Sequence, residues 1–515
     1  MAERERGHWA EELAGRVLAE KKPPYVVGSG ITTSGPTHLG TLCEFLFPSA
    51  VHAFLSRTHP AEFVFVADIL DAFDSVPAAL AEHAGELEGE LGKPLAAVPD
   101  PLACHSSLGE HFLADAQAAM DAFGVRPEVL RADELYAKGR YDPYAITFLN
   151  RLEETKRIVA ETSLKGVLPD WWSPLMPICK GCGRVATTRV TGFSVKGGDA
   201  EYSYACDRHD VKYARGCGRA GTARISEHAY KLTWRLDWPA RQDFLGVSCE
   251  GAGVDHMTRG GSWDTARAVH ERIFGKAPPV AYKFGFILFK GKKYSKSKGT
   301  GMGVAELLSL VPPELVKYAL YRPDLEENID FDPSGYNLMR LYDEFAAAAR
   351  LVGRQGLSRA DRKRAIAFSL STDRLRWRAG FADALLYYQL YGDWAKVGAA
   401  LGDEQGVKYL SKYIAKWVEE GYAPDEYAFS FSPTKPENRK AALAFAAALA
   451  DGMSALDVHN LVFRVAAELG LKPDALFKIL YRALIAKERG PRFGKLVEAI
   501  GVAKVKRTLL GLCGE

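Results

Sequence analysis

Residues 23–75 constrain the fold more than any other stretch of the chain. An apolar run, Tyr25-Val-Val27, leads into a loop of small residues. An apolar segment with helical spacing follows from Leu42 to Leu55, then a second apolar run, Phe63-Val-Phe-Val-Ala67. Short β-branched and aromatic runs bounded by glycine and proline read as strands, and a helix between two of them reads as a βαβ unit. Such crossovers join parallel strands, so the expectation is a parallel sheet with ligands beyond the carboxyl ends of its strands. The second strand ends at Asp68, and Asp71 follows three residues later; these carboxylates suit either substrate orientation or a turn cap.

The loop between strand and helix, Thr33-Ser-Gly-Pro-Thr-His38-Leu-Gly40-Thr41, suggests a phosphate ligand. Gly35 and Gly40 let the backbone come close, and the helix start supplies N–H groups and the positive end of a dipole. His38 is read as a hydrogen-bond donor to phosphate, the alternative being a helix cap. Far along the chain, Lys293-Tyr-Ser-Lys296-Ser-Lys298-Gly299 offers ammonium groups able to close over a triphosphate, with Lys293 and Lys296 as the main donors and Lys298 as a further one. These parts suit activation of an amino acid by ATP. An α-carboxyl titrates near roughly 3.5 and is already ionised, so no general base is required. The work is to position the carboxylate and to stabilise charge on the phosphoryl oxygens.

Four of the eight cysteines cluster as metal ligands would. Cys179-Lys-Gly-Cys182-Gly183 is a tight pair, and Cys206 and Cys217 follow an alternating stretch, Arg189 to Cys206, that turns at Lys196-Gly-Gly-Asp199. Two thiol pairs at the ends of a hairpin match a closed four-cysteine site holding one structural zinc ion. His209 offers a competing Cys206-x-x-His209 pair, so either Cys217 or His209 completes the set; unligated cysteines are the bland alternative. Thiols used in this way also point to a reducing, cytoplasmic location.

Lys and Arg total 67 against 64 Asp and Glu, so any nucleic-acid surface has to be local. Residues 482–515 hold eight Lys/Arg against three Glu and are read as a phosphate-contacting surface. The longest alanine-rich run, Ala441 to Ala450, is too short to span a bilayer, so no membrane partner is expected. The α/β texture runs to about residue 345, with an inserted helical segment at about 78–170 and the cysteine module at about 171–222. Helical spacing dominates 346–515.

His38-Leu-Gly40-Thr41 and Lys293-Tyr-Ser-Lys296-Ser297 resemble the HIGH and KMSKS signatures of class I aminoacyl-tRNA synthetases. The chain is further similar to archaeal-type class I lysyl-tRNA synthetases over most of its length. The similarity lies in Gly28-Ser-Gly-Ile-Thr32, Cys104-His-Ser-Ser-Leu-Gly-Glu-His111, Trp234-Arg-Leu-Asp-Trp-Pro239, Asp255-His256 with Gly260-Gly-Ser262, and Lys487-Glu-Arg-Gly-Pro-Arg492. Only helical texture matches at roughly 345–440.

The resemblance implies an α/β, Rossmann-type catalytic domain with a zinc-ribbon insertion and an all-α C-terminal anticodon-binding region. It implies activation of L-lysine with ATP and Mg2+, then transfer to the 2′-hydroxyl at the 3′ end of tRNA(Lys); the expected oligomeric state is a monomer. In that picture Gly30, Thr32, Trp238 and His256 face lysine, while Thr41, Asp255, Gly260, Ser295 and Ser297 lie near ATP. The chain departs from the family at Thr41 (usually Asn), Tyr294 (usually Met) and Phe284-Gly285 (commonly Tyr-Glu). Without that glutamate, Asp68 or Asp237 is left to receive the ammonium group. A ligase for another amino acid or acceptor, a nucleotidylyltransferase with a related histidine loop, and a zinc-ribbon RNA-binding protein remain the alternatives.

Overall fold

The computed structural model describes residues 7–164, 166–293 and 302–514. The chain divides into two compact units: Met1–Leu307 with Val316–Phe331 and Gly353–Ser371, and Leu308–Leu315 with Asp332–Val352 and Thr372–Glu515.

The first unit is built on five strands: β1 Tyr25–Ile31, β2 Ala61–Ala67, β3 Glu128–Arg131, β4 Cys249–Gly253 and β5 Val280–Phe284. They lie in the order β5-β4-β1-β2-β3, and every pair is parallel. Strand order reverses between β1 and β4, the place where open α/β sheets leave a crevice beyond their carboxyl ends. Tyr25 to Val27 and Phe63 to Ala67 are buried without alternation, as strands covered on both faces should be. The crossover from β1 to β2 is helix α1, Leu39–Leu55, which buries Leu42, Phe45, Leu46 and Val51 against the sheet. Gly30 is required where it stands, because a Cβ there would sit 2.6 Å from the Val66 carbonyl oxygen.

Between β3 and β4 the chain leaves the sheet and forms an antiparallel three-stranded ribbon, Arg189–Lys196, Asp199–Ala205 and Ala220–Arg224. The expected hairpin turn is present: Gly197 and Gly198 take φ of 58° and 87°, the left-handed pair that a two-residue hairpin favours. Tyr202 and Tyr204 are buried in the ribbon together with Val190, Ala200 and Ala223. Helix α2, Trp234–Phe244, then returns the chain to β4.

Helices are the regular structure of the second unit, from Gly335–Ala349 to Val502–Leu512, and among its described residues there is no strand. Trp417 lies at its core and donates from Nε1 to the Pro333 carbonyl at 2.6 Å. The basic C-terminal run is partly engaged inside this unit. Lys506 donates to the Leu449 carbonyl at 2.8 Å, Lys495 pairs with Glu498 at 3.0 Å, Arg482 bridges Glu437 and Glu488, and Lys487 donates to the Ala428 carbonyl. Half of its eight cations therefore serve the unit's own acceptors. Among the described residues no helix is long and apolar enough to cross a membrane.

Candidate functional site

The loop after β1 is held from several sides. Thr33 Oγ1 donates to the Gly109 carbonyl at 3.0 Å, and the Thr37 N–H donates to Asp115 at 2.6 Å. His38 caps α1, its Nδ1 accepting from the Thr41 N–H at 3.2 Å. An accepting Nδ1 leaves the ring proton on Nε2, the tautomer that donates to a phosphate oxygen. A Cβ at Gly40 would stand 3.2 Å from that ring, so glycine gives the imidazole its place. Cap and donor are thus two uses of one histidine rather than rival ones.

Of the second loop, the Lys293 backbone pairs with Leu288 in an antiparallel strand. Ser295, Lys296, Ser297 and Lys298 lie outside the described residues. The chain beyond them is anchored to the first loop, since Gly303 bridges His38 and the Val304 N–H donates to the Thr37 carbonyl at 3.2 Å.

A cavity of about 650 Å3 opens over the ends of β1 and β2. From the predicted set, Gly30, Thr32, His38, Gly40, Thr41, Asp255 and His256 line it; Ser34, Glu44, Asp68, Asp71 and Trp234 complete its polar and aromatic wall. Gly35 is buried within the loop, and Gly260 sits in a turn, its N–H on Asp264 at 2.8 Å. Trp238 is 2% exposed and lies behind Trp234, the two rings stacked at 5.5 Å. Trp234 Nε1 donates to Ser262 Oγ at 3.1 Å, and the His256 ring stands 3.3 Å from the same oxygen. Burial holds His256 below its usual range, which keeps the imidazole neutral. Phe284 and Gly285, where the sequence departs from the family, do not line the cavity. Gly285 is packed so that a Cβ would meet the Glu327 carbonyl at 2.4 Å.

Behind the cavity is a buried charge network. Arg241 donates to Asp68 Oδ2 at 2.7 Å, lies 3.8 Å from Glu250 and stacks 4.9 Å from the Trp234 ring centre. Lys231 reaches Asp71 at 3.1 Å and Asp237 at 3.0 Å. Asp237 also accepts from Tyr136 at 2.7 Å and Tyr141 at 3.1 Å. Burial, with Glu250 nearby, raises the Glu44 carboxyl to about 8. Burial also raises Asp68, to about 6; Arg241 opposes this, while Asp71 and Asp237 add to it. A second cavity, of about 350 Å3, shares Trp234 and is lined by Trp171, Trp172, Arg189, Arg208 and Arg235. There the Arg208 guanidinium lies 4.7 Å over the Trp171 ring.

The sulfurs of Cys179, Cys182, Cys206 and Cys217 lie within 4.8 Å of one another, with Cys179–Cys217 and Cys182–Cys206 both at 3.7 Å. A tetrahedron with metal–sulfur bonds of about 2.3 Å has edges near 3.8 Å, so the spacing fits zinc. Cys217, not His209, completes the quartet. A Cβ at Gly216 would fall 2.0 Å from the Cys206 carbonyl, so glycine lets this knuckle close.

Asp100, Cys104, His105 and His111 form another group with metal-ligand chemistry, their donor atoms also within 4.8 Å. The Asp100 carboxylate accepts from the N–H groups of Leu102 at 3.1 Å, Cys104 at 3.0 Å and His105 at 2.9 Å. Sequence reading passed over this group, although the spacing of Cys104, His105 and His111 was its visible signal.

A model of the family described as tRNA synthetases class I (K) matches residues 7–374. The lysine–tRNA ligase of Archaeoglobus fulgidus is 32% identical, the match covering 98% of this chain and 99% of that protein. That of Methanosarcina barkeri is 32% identical over 95% of this chain and 94% of its own. That of Thermoplasma volcanium is 29% identical over 98% and 99%.

Proposed function

Because the chain belongs to the class I (K) family of tRNA synthetases, we propose that it activates L-lysine with ATP and transfers it to the 3′ end of tRNA(Lys). One observation carries the reading: a helix start capped by a donor histidine opens onto the same cavity as a wall of carboxylates. The first suits a triphosphate and the second a cationic amino acid.

In the first step the lysine carboxylate attacks the α-phosphorus in line and pyrophosphate leaves, giving a mixed anhydride. His38 Nε2 and the N–H groups at the start of α1 stabilise charge on the phosphoryl oxygens. Lys293 and Lys296, with Ser295 and Ser297, are assigned to the leaving phosphates beside Mg2+. The anchoring of Gly303 to His38 supports that assignment, because it ties the end of the second loop to the first. Thr41, Asp255 and the Gly260 turn are assigned to the nucleotide, and Gly30, Thr32, His256 and the stacked Trp234–Trp238 pair to lysine. In the second step the 2′-hydroxyl of the terminal adenosine attacks the carbonyl and AMP leaves.

The cavity of Trp171, Trp172 and Arg208 supports a place for the unpaired acceptor end, since aromatic and guanidinium planes stack on single-stranded bases. The helical second unit is assigned to the anticodon. The four thiols fit one structural zinc, which when bound would hold the ribbon closed.

Pyrophosphate exchange with each amino acid in turn, with and without tRNA, tests the proposal. Exchange with lysine is expected. Exchange with a different amino acid, or with none under either condition, overturns it.

A further inference from the structure

The cavity's wall is electrically lopsided. Glu44, Asp68, Asp71 and Asp255 are carboxylates, and among the described residues no lysine or arginine lines it. Two buried cations stand behind it and are already committed, Arg241 to Asp68 and Lys231 to Asp71 and Asp237. Asp237 is fully served by Tyr136, Tyr141 and Lys231. Asp68 is not. It is 1% exposed, and its Oδ1 has no hydrogen-bond partner among the described residues. A bare, buried carboxylate oxygen is costly, and its persistence in a native site calls for an explanation.

We propose that Asp68 Oδ1 receives the side-chain ammonium of the substrate lysine, and that the carboxylates around it select a cationic side chain. The proposal rests on the lysine reading given above. Arg241 is a positioning residue: it holds Oδ2 and leaves Oδ1 of this cavity-lining aspartate without a partner among the described residues. The ammonium has three donors and no acceptor, so it matches a wall of acceptors. A neutral side chain of the same length leaves Oδ1 bare. An acidic one adds charge of the wrong sign to a site already short of cations. The missing glutamate at position 285 is then no deficit, since that position lies outside the cavity and the carboxylate comes from the end of β2.

Calorimetric titration with L-lysine and L-norleucine, with ATP titrated separately, tests this. Wild type should bind lysine at least about a hundredfold more tightly than norleucine. In Asp68→Asn the two should bind within about threefold of each other while ATP affinity holds. The single variant strands the Arg241 guanidinium, so Asp68→Asn/Arg241→Gln, which removes both partners, should show the same collapse in a better-balanced fold. A folded variant of either kind that keeps the wild-type preference for lysine overturns the proposal. A wild-type crystal structure with lysine whose Nζ lies beyond hydrogen-bond reach of Asp68 does so without any variant. If wild type binds another amino acid instead of lysine, the lysine reading itself fails, an outcome distinct from the other two.

Discussion

The acid-lined cavity and the cysteine quartet both gather groups that repel one another when ionised, and they differ in what relieves the repulsion. The quartet is closed: four sulfurs lie within 4.8 Å of one another, the full ligand set of a structural zinc, which leaves no position for a substrate. The cavity is open, about 650 Å3, and its bare Asp68 oxygen waits on a ligand that comes and goes. A permanent ion makes its ligands part of the folding free energy. An exchangeable ligand leaves the fold standing when it departs. Substitutions at the quartet should therefore act on structure, and substitutions at the cavity on turnover.

The largest effect should follow Cys206→Ser. Structural zinc contributes on the order of 10 kcal/mol in small modules, so loss of one thiolate should release the metal and open the ribbon. Metal analysis should fall from one bound zinc in the quartet toward none, with new proteolytic cleavage within residues 189–224. A variant that keeps its zinc and resists cleavage like wild type breaks the comparison on its structural side.

Next come the donors. His38→Ala and Lys296→Ala should each slow adenylate formation by about a hundredfold or more. The cap lost with His38 should lower stability by only about 1 kcal/mol. Exchange kinetics beside thermal melts will show whether rate and stability separate. A folded variant with near-normal rate would remove its loop from the mechanism.

A smaller effect concerns protons. Asp68 titrates at about 6 and Glu44 at about 8, both above the values of free carboxyls. The folded apo-protein therefore holds protons that the unfolded chain has already lost. These two groups make stability fall as pH rises from near 4 toward 8. A bound ammonium favours the ionised carboxylates, so lysine binding near pH 7 should release protons and strengthen with pH. Calorimetry in two buffers of different ionisation enthalpy measures this. Proton uptake, or none, would contradict the charge balance argued for the cavity.

The smallest effect lies in the second unit. With four of the eight C-terminal cations held by internal acceptors, the salt dependence of tRNA binding should report about half the slope of a fully exposed run. Lys506→Ala should lower stability and leave that slope nearly unchanged, whereas Arg489→Ala should reduce it. The opposite pattern would return the run to the role read from its sequence.

The parts legible in the sequence are those made by near neighbours. The βαβ start needed only the apolar runs at 25–27 and 63–67 and the loop between them. The ribbon's turn needed only Gly197 and Gly198. What escaped was assembled from distant segments. Glu44 and Trp234 line the same cavity as Asp68 and Asp71, the strand-end carboxylates visible in the sequence, although no spacing relates those two to them. Trp238, read as a wall facing lysine, is buried with Ala252 and Ala266 and stacks on Trp234, so it backs the wall that Trp234 presents. The charge run at 482–515 could not show which of its cations the unit would use itself.

The order of strand, phosphate loop and helix, the hairpin turn and the tight Cys179–Cys182 pair were set by the sequence alone, since each depends on backbone preference or reach over a few residues. Tertiary structure decided which acid is left bare and which sulfur completes the quartet. Lys231 and Arg241 come from more than 150 residues beyond Asp68, and the two tyrosines that satisfy Asp237 come from the segment between. Buried charge is settled by the sum of everything that packs around it, and that sum exists only once the chain has folded.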